Sequence, residues 1–230
     1  MLNIRSVVRT MALAASMLVA ATTAQAAQIT GSSGGTFSSV TSCDGICSIN
    51  NGGRQLEWGQ FIGSGSTLSA VSRTWDEPTF ADDVILAELV WVNRATLGIF
   101  TPDAFGAIYT LAVNFTSPNA DSDSQAFNLS ILNPVNNTGD STYGLTLASL
   151  AGLSFDLAGV SITDLKYSVT GTGATFDSNV WYNPEGRTSR MYITADFSEI
   201  LVSEVPEPAS LALLGAGLFG LGLMRRRRMM

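Results

Sequence analysis

A strict alternation of apolar and polar residues constrains the fold of this chain most strongly. Between Ile108 and Thr116 every second residue is large and apolar, namely Tyr109, Leu111, Val113 and Phe115. The pattern recurs at Phe127, Leu129 and Ile131, and again at Met191, Ile193, Ala195 and Phe197. Because successive side chains of a strand point to opposite faces, a period of two predicts half-buried strands. Gly- and Asn-rich turns separate them, so we expect an all-β fold, an antiparallel, jelly-roll-like β-sandwich.

Three other segments are less regular. The apolar stretch Asp83–Val92 contains several β-branched residues that favour a strand, although its Leu-Ala-Glu-Leu centre is also compatible with a helical turn. Gln28–Ser42 is rich in Gly, Ser and Thr, which predicts an exposed start or a short edge strand. Leu153–Leu157 is predicted to be a further strand.

The N-terminus has the three parts of a secretory signal peptide. Arg5 and Arg9 form a charged region, Met11–Ala21 is apolar, and Ala24-Gln-Ala26 is a small-x-small cleavage site. We therefore expect residues 1–26 to engage the Sec translocon and to be removed by signal peptidase. The exported domain is then predicted to span residues 27–204.

The C-terminus also has three parts in a fixed order. A stiff, non-helical motif comes first, because two of its four residues are prolines that fix φ: Val205, Pro206, Glu207 and Pro208. Residues 209–224 form an uncharged apolar run, and four basic residues end it: Arg225, Arg226, Arg227 and Arg228. Such a run is predicted to be a transmembrane helix whose arginines stay in the cytoplasm. Its 16 residues lie at the lower limit of a spanning helix.

This arrangement of Val-Pro-Glu-Pro, Leu/Gly-rich helix and arginine cluster resembles the PEP-CTERM sorting signal of Gram-negative bacteria. The resemblance implies that an exosortase reads the motif Val205–Pro208 within residues 205–230. It also implies that the helix and the arginines are then removed. The protein would be held only transiently in the inner membrane, and its final location would be the cell surface or the medium.

The middle of the chain resembles the choice-of-anchor domains of exported proteins, and most closely their K type. The residues that carry this resemblance are Leu56–Gly59, Ser66–Leu68, Leu89–Asn93 with Phe100-Thr101, Ile108–Val113 and Arg190–Leu201. The family label describes a domain found with different anchoring tails and implies no chemistry.

The charge of the exported part excludes nucleic acid as a partner. Six basic residues stand against nineteen acidic ones between residues 27 and 208, a net charge of −13, and nucleic-acid binding needs a basic surface. The chain also contains no histidine, which excludes Ser-His-Asp and Cys-His nucleophile systems as they are normally built. We therefore expect a protein that is not an enzyme. A hydrolase that uses two carboxylates remains the least favoured alternative.

Three small groups of residues are candidates for specific roles. Cys43 and Cys47 are the only cysteines and are predicted to form a disulfide in an oxidising compartment. Asn119, Asp121 and Asp123 offer the oxygen ligands that calcium prefers, although a polar hairpin is the simpler explanation. Aromatic residues near predicted turns could stack on sugar rings, and we select Trp75, Trp181 and Tyr182, although packing in the core or at its rim is the simpler explanation.

Taken together, these features predict an exported, non-catalytic protein of the cell surface or of an extracellular matrix, associated with exopolysaccharide or biofilm. The alternative is a carbohydrate-binding module, with or without help from calcium. No other cofactor is expected.

Overall fold

The computed structural model describes residues 28–59, 65–95, 102–132 and 144–200. Within these ranges the chain forms thirteen strands: β1 Ile29–Thr41, β2 Cys47–Asn50, β3 Gln55–Trp58, β4 Ser66–Val71, β5 Arg73–Glu77, β6 Phe80–Val92, β7 Ala104–Ser117, β8 Asp121–Leu132, β9 Gly144–Leu147, β10 Val160–Thr170, β11 Thr175–Asp177, β12 Val180–Tyr182 and β13 Thr188–Glu199. Two short 3-10 turns, Asn51–Gly53 and Leu150–Gly152, lie between them.

The strands form two antiparallel sheets that pack face to face. The first has seven strands in the order β11-β12-β9-β8-β7-β1-β5, and the second has six in the order β10-β13-β6-β4-β3-β2. The residues that alternate in the sequence alternate in burial, so that one face of each strand enters a shared core. The predicted all-β sandwich is therefore confirmed.

Aromatic rings fill much of the core between the sheets. Trp58 packs against both Trp91 and Phe105, with ring centroids 6.3 and 5.4 Å apart. Elsewhere in the core, Phe115 and Phe197 pack against each other with centroids 5.4 Å apart. Rings from both sheets thus interdigitate, and each buries a large apolar area.

The stretch whose helical or strand nature the sequence left open is a long central strand. β6 pairs with β4 on one side and β13 on the other, which satisfies its backbone without a helix. A shift in register between Ile193 and Thr194 of β13 places an extra residue in β6 at Leu86. This bulge turns both Leu86 and Ala87 into buried positions. Two adjacent apolar residues, Leu86 and Ala87, interrupt the alternation of this strand because the bulge lies there, and this interruption resembled a helical turn.

The prediction for the glycine-rich start of the chain is wrong. β1 is neither short nor an edge strand, because its 13 residues lie between β7 and β5. Its glycines are required by close packing: a Cβ at Gly35 would overlap the ring of Tyr109, and one at Gly31 would meet Trp75. Small residues in β1 therefore let large rings from neighbouring strands lie against its backbone.

The predicted strand at Leu153–Leu157 is also wrong. After the 3-10 turn, residues 153–157 belong to neither sheet. The backbone N–H groups of Asp156 and Ala158 bond instead to the side chains of Asp123 and Asp121. In this segment, two side-chain carboxylates accept the backbone hydrogen bonds that a neighbouring strand would otherwise have accepted.

The first and last strands place both described chain ends at the same end of the sandwich, which we call the proximal end. There Ile29 at the start of β1 pairs with Glu77, and Glu199 at the end of β13 pairs with Val160. The opposite, distal end is marked by the pairs Trp58–Ser66, Ala104–Leu132 and Thr188–Val92. β7 has 14 residues, so the two ends lie roughly 45 Å apart.

Candidate functional site

The predicted sorting segment Val205–Arg228 lies outside the described residues, and so do the signal peptide and the two predicted domain boundaries. What the structure does define is the point where the chain leaves the sandwich. Glu199 N–H donates to Thr79 O at 3.0 Å and Ile200 N–H donates to Gly159 O at 2.9 Å. The chain is thus paired on both sides up to residue 200. Among the described residues no helix is both long and apolar enough to cross a bilayer.

Two of the three residues selected for sugar stacking lie in the core. Trp181 has no exposed surface and packs edge-on against Trp91, with ring centroids 5.3 Å apart. Trp75 is 7% exposed and lies against Phe115 and Phe197. Neither ring has a free face for a sugar. The sequence placed them near turns correctly, but β5 and β12 alternate so that both tryptophans point inward.

Tyr182 is the exception in that group. It follows Trp181 in β12, so it projects to the other face of the sheet, and it is half-buried there. It lies between Thr175 of β11 and Gly144 of β9. A single half-buried tyrosine remains available for contact with a ligand, without the aromatic platform that was expected.

The three residues selected for calcium do converge, but on the backbone of their own chain. Asp121 accepts from the Ala158 N–H at 2.7 Å and from Ser122 N–H at 2.8 Å. Asp123 accepts from the Asp156 N–H at 2.9 Å and from Ser124 N–H at 2.7 Å. Asn119 donates to Ala158 O at 3.4 Å. We call this set the carboxylate clamp, because it fixes the segment 156–158 to the start of β8.

Hydrogen bonds to the clamp also change its acidity. The hydrogen bond from the Asp156 N–H is the main reason that the pKa of Asp123 lies below its ordinary value. Desolvation opposes this shift, and smaller contributions from Ser124 and Gln125 add to it. Each donor stabilises the ionised carboxylate. Within the described ranges no three Cys, Asp or Glu side chains gather as a metal-binding group. The geometry accounts for Asp121 and Asp123 as backbone acceptors, and calcium binding by them stays a prediction.

The proximal end carries a second group of charges on the six-stranded sheet. Lys166 Nζ lies 2.6 Å from Asp164 Oδ2 and 3.7 Å from Asp83 Oδ1. The hydrogen bond to Asp164 is the main reason that the pKa of Lys166 is raised. Asp196 also accepts from the Asp83 N–H at 3.0 Å. Charged contacts thus join β6, β10 and β13 near the point where the chain leaves the domain.

Cys43 and Cys47 form the predicted disulfide, with an S–S distance of 2.08 Å. Cys47 begins β2 and pairs with Trp58, so the disulfide lies at the distal end. It closes the turn that carries the chain from β1 in one sheet to β2 in the other. The position favours a structural role.

Sequence reasoning did not find a buried ion cluster on the six-stranded sheet. Glu88 is buried, and its two oxygens accept from the guanidinium groups of Arg73 and Arg190. The arginines come from β5 and β13, which lie 15 and 102 residues away in the chain. No local pattern links such distant residues, although a lone Glu inside an apolar strand was a signal that a partner must exist.

Two buried asparagines form another unpredicted pair near the distal end. Asn93 Nδ2 donates to Asn183 O at 2.8 Å, and Asn183 Nδ2 donates to Trp91 O at 3.0 Å. Ser66 adds a hydroxyl bond to Asn93 Oδ1. These neutral contacts tie the end of β6 to the turn before β13. Asn93 therefore has a structural explanation that needs no ligand.

The outer face of the seven-stranded sheet holds a groove with a volume of about 610 Å³. Its floor is made of short hydroxyl, amide and glycine positions on adjacent strands: Thr74, Ser32, Gly34, Asn114, Ser122 and Ser124. The register aligns them in rows, such as Thr74–Ser32–Asn114–Ser122 across β5, β1, β7 and β8. Arg54 stands at one side. We call this surface the polar groove.

Comparison with known proteins identifies the C-terminal segment. Residues 204–228 match the family model of the PEP-CTERM protein-sorting motif. No curated protein matches the chain. The resemblance of the middle section to choice-of-anchor K domains stays a prediction. The chain therefore carries a PEP-CTERM sorting motif directly after an all-β sandwich, which supports an exported protein that is anchored transiently in the membrane and sorted by an exosortase.

Proposed function

We propose that this is a non-catalytic protein of the cell surface or of the extracellular matrix, associated with exopolysaccharide or biofilm. The observation that carries the proposal is the PEP-CTERM motif at residues 204–228, which begins four residues after the last described residue of the sandwich. An exosortase would process the chain at or near Val205–Pro208, and the sandwich would be the part that is delivered. Signal peptidase and the Sec translocon act earlier, on residues 1–26.

The chemistry of the described carboxylates supports a structural domain. Glu88 gives both oxygens to arginines, and Asp121 and Asp123 give theirs to backbone N–H groups. A general acid or base needs an oxygen directed at a substrate. The carboxylates of Glu88, Asp121 and Asp123 are directed at their own fold instead.

Intact-mass measurement of the protein fractionated from its native host tests the proposal. We expect a species that begins near Ala27, ends near Val205–Pro208 and is found in the surface or medium fraction. A control variant with Pro206 and Pro208 replaced by alanine should keep its C-terminal arginines and stay in the inner membrane. Wild-type protein that retains Arg225–Arg228 in the inner membrane would overturn the proposal.

The polar groove favours a second function, binding of carbohydrate. A polysaccharide chain presents many hydroxyl groups, and the groove offers rows of Ser, Thr and Asn side chains that can donate and accept hydrogen bonds to them. This location replaces the tryptophan platform that the sequence suggested. Because Asp121 and Asp123 already bind backbone N–H groups, we expect such binding to survive removal of calcium with EDTA.

A pair of matched serines tests this second function. Ser124 lies in the polar groove and Ser168 lies on β10 of the other sheet, and both are exposed within a strand. We expect Ser124→Arg to abolish calorimetric binding to the producer's exopolysaccharide, and Ser168→Arg to leave it unchanged. Equal binding by both variants, or no binding by the wild type, would remove carbohydrate binding through this groove.

A further inference from the structure

The point where the chain leaves the sandwich is flanked by exposed apolar side chains. Phe80, at the start of β6, is 64% exposed, and Ile200, just after β13, is 49% exposed. The register places Phe80 opposite Ser198. Ile200 lies two residues beyond Ser198, just past the end of β13, and its N–H still donates to Gly159 O. From the alternation of a strand we expect Phe80 and Ile200 on the same face, as diagonal neighbours. We call them the exit patch.

The length of chain beyond Ile200 determines what this patch can meet. The matched sorting motif begins at residue 204 and its Val-Pro-Glu-Pro at residue 205. Five residue steps of at most about 3.6 Å allow no more than about 18 Å between Ile200 and Val205. The apolar run begins at residue 209, so the exit patch stays within about 32 Å of it by the same reach. Before processing, the proximal end must therefore face the membrane.

An enzyme that binds the Val-Pro-Glu-Pro motif must do so within about 18 Å of Ile200, the reach of the linker. Even a small domain is about 30 Å across, which exceeds the reach of the linker. A sorting enzyme that holds Val205–Pro208 will therefore touch the proximal end of the folded sandwich. The exit patch is the exposed apolar part of that end.

The charges around the patch favour a protein over a lipid surface as its occupant. Asp82 and Asp83 follow Phe80 and are exposed, and Glu199 precedes Ile200. Carboxylates at this position would be repelled by anionic headgroups. An aromatic and an aliphatic side chain inside a polar rim is instead the usual composition of a protein-protein contact.

We propose that the exit patch, with Asp82 and Asp83 at its rim, is a contact surface for the membrane-bound sorting enzyme. It holds the sandwich against the enzyme while the motif is read. The proposal rests on the exosortase sorting described under the proposed function, and it adds a recognition surface on the folded domain to the recognition of the motif. A second recognition surface raises the effective concentration of the motif at the enzyme.

The first test compares processing of full-length variants in the native host. Phe80→Ser combined with Ile200→Ser removes the patch, and Leu132→Ser is the matched control because Leu132 is 55% exposed at the distal end. We expect the rate at which pulse-labelled precursor is converted to the mature form to fall at least fivefold for the patch variant. The control should be processed like the wild type. Equal rates for all three proteins would overturn the proposal.

A second test does not depend on the stability of the patch variant. A photoreactive phenylalanine analogue placed at residue 80 or at residue 132 of the full chain should crosslink to epitope-tagged exosortase from residue 80 alone. Adducts with lipid, with a second copy of this chain, or with the enzyme from both positions would each contradict the proposal. If the wild type is not processed at all, exosortase sorting itself fails. If it is processed while residue 80 gives no enzyme adduct, only the exit patch fails.

Discussion

Both ends of the sandwich bury aromatic rings, but different contacts surround them. The rings are Trp58, Trp91 and Trp181 at the distal end and Trp75, Phe115 and Phe197 at the proximal end. At the distal end the surrounding contacts are covalent or neutral: the Cys43–Cys47 disulfide and the Asn93–Asn183 pair. At the proximal end they are charged, namely the carboxylate clamp and the Lys166 contacts with Asp83 and Asp164. Of these contacts, the disulfide and the asparagine pair do not titrate, whereas the clamp and the Lys166 contacts contain groups that do.

The difference between these contacts shows that the two ends of one sandwich can depend differently on pH and salt for their stability. The disulfide and the neutral hydrogen bonds of the distal end contribute irrespective of pH or salt. Exposed carboxylates contribute less, because water screens them and competes for their hydrogen bonds. We therefore expect loss of the distal disulfide to cost more than loss of one clamp carboxylate, while a buried aromatic ring is costly to remove at either end.

The largest expected effect is at Trp181. Trp181→Ala removes a fully buried ring and its contact with Trp91, and should lower the free energy of unfolding by about 3–5 kcal/mol. Guanidinium chloride unfolding of the mature protein measures this change. Trp181→Phe keeps most of the ring and should cost clearly less. A change within about 0.5 kcal/mol for Trp181→Ala would be typical of a surface residue and would restore the sugar-stacking role.

The next largest effect is at the disulfide. Replacing both Cys43 and Cys47 with serine opens a loop whose ends are four residues apart, which should lower the free energy of unfolding by about 2 kcal/mol in the loop-entropy account. Dithiothreitol should destabilise the wild type by the same amount and leave the double variant unchanged. A reductant effect that persists in the double variant would contradict this prediction.

A smaller effect is expected at the carboxylate clamp. Asp121→Asn or Asp123→Asn replaces an ionised acceptor of backbone N–H bonds and should cost about 1 kcal/mol each. Hydrogen exchange should accelerate selectively at the Asp156 and Ala158 amides, because these are the donors. Asp103→Asn, an exposed carboxylate just before β7, is the distal control and should change neither quantity. Unchanged exchange at both amides in the clamp variants would show that the clamp does not hold this segment.

The pH dependence of the clamp should be the smallest effect and should distinguish the two ends. The pKa of Asp123 in the folded protein is lowered from 3.8, so its contribution to stability is complete above that value and is lost as pH falls through the folded pKa. The stability difference between wild type and Asp123→Asn should therefore shrink between about pH 4 and pH 2. The difference between wild type and the double serine variant should stay constant over the same range. If both stability differences, that for Asp123→Asn and that for the double serine variant, changed with pH in the same way, the proposed difference between the two ends would be wrong.

Local patterns in the sequence predicted what depends on local residues. The alternation in β7, β8 and β13 indicated the sandwich, and the terminal motifs indicated export and sorting. The failures lie where the answer depends on distant strands. The glycines of β1 looked like an exposed start because the rings that fill the space above them, Tyr109 and Trp75, come from β7 and β5.

The candidate sites were less predictable for the same reason. Trp75 and Trp181 were selected because they lie near turns. They are buried because each occupies an inward-facing position of its strand, β5 or β12. The calcium site predicted at Asp121 and Asp123 stays a prediction. The backbone donors to Asp123 and Asp121 lie 33 and 37 residues further along the chain, respectively, and are invisible to a local pattern. The polar groove spans four strands and exists only once they are in register.

Because both ends of the described chain lie at the proximal end, the sandwich can be combined with different C-terminal tails. Because β1 begins and β13 ends at the same end, any tail joined after Ile200 leaves from the same place, whatever its chemistry. Replacing the membrane helix with another attachment would thus change how the domain is held without changing which end points outward. For an engineer, the distal loops would be the sites for display of a grafted peptide, and the tail could be chosen independently of them.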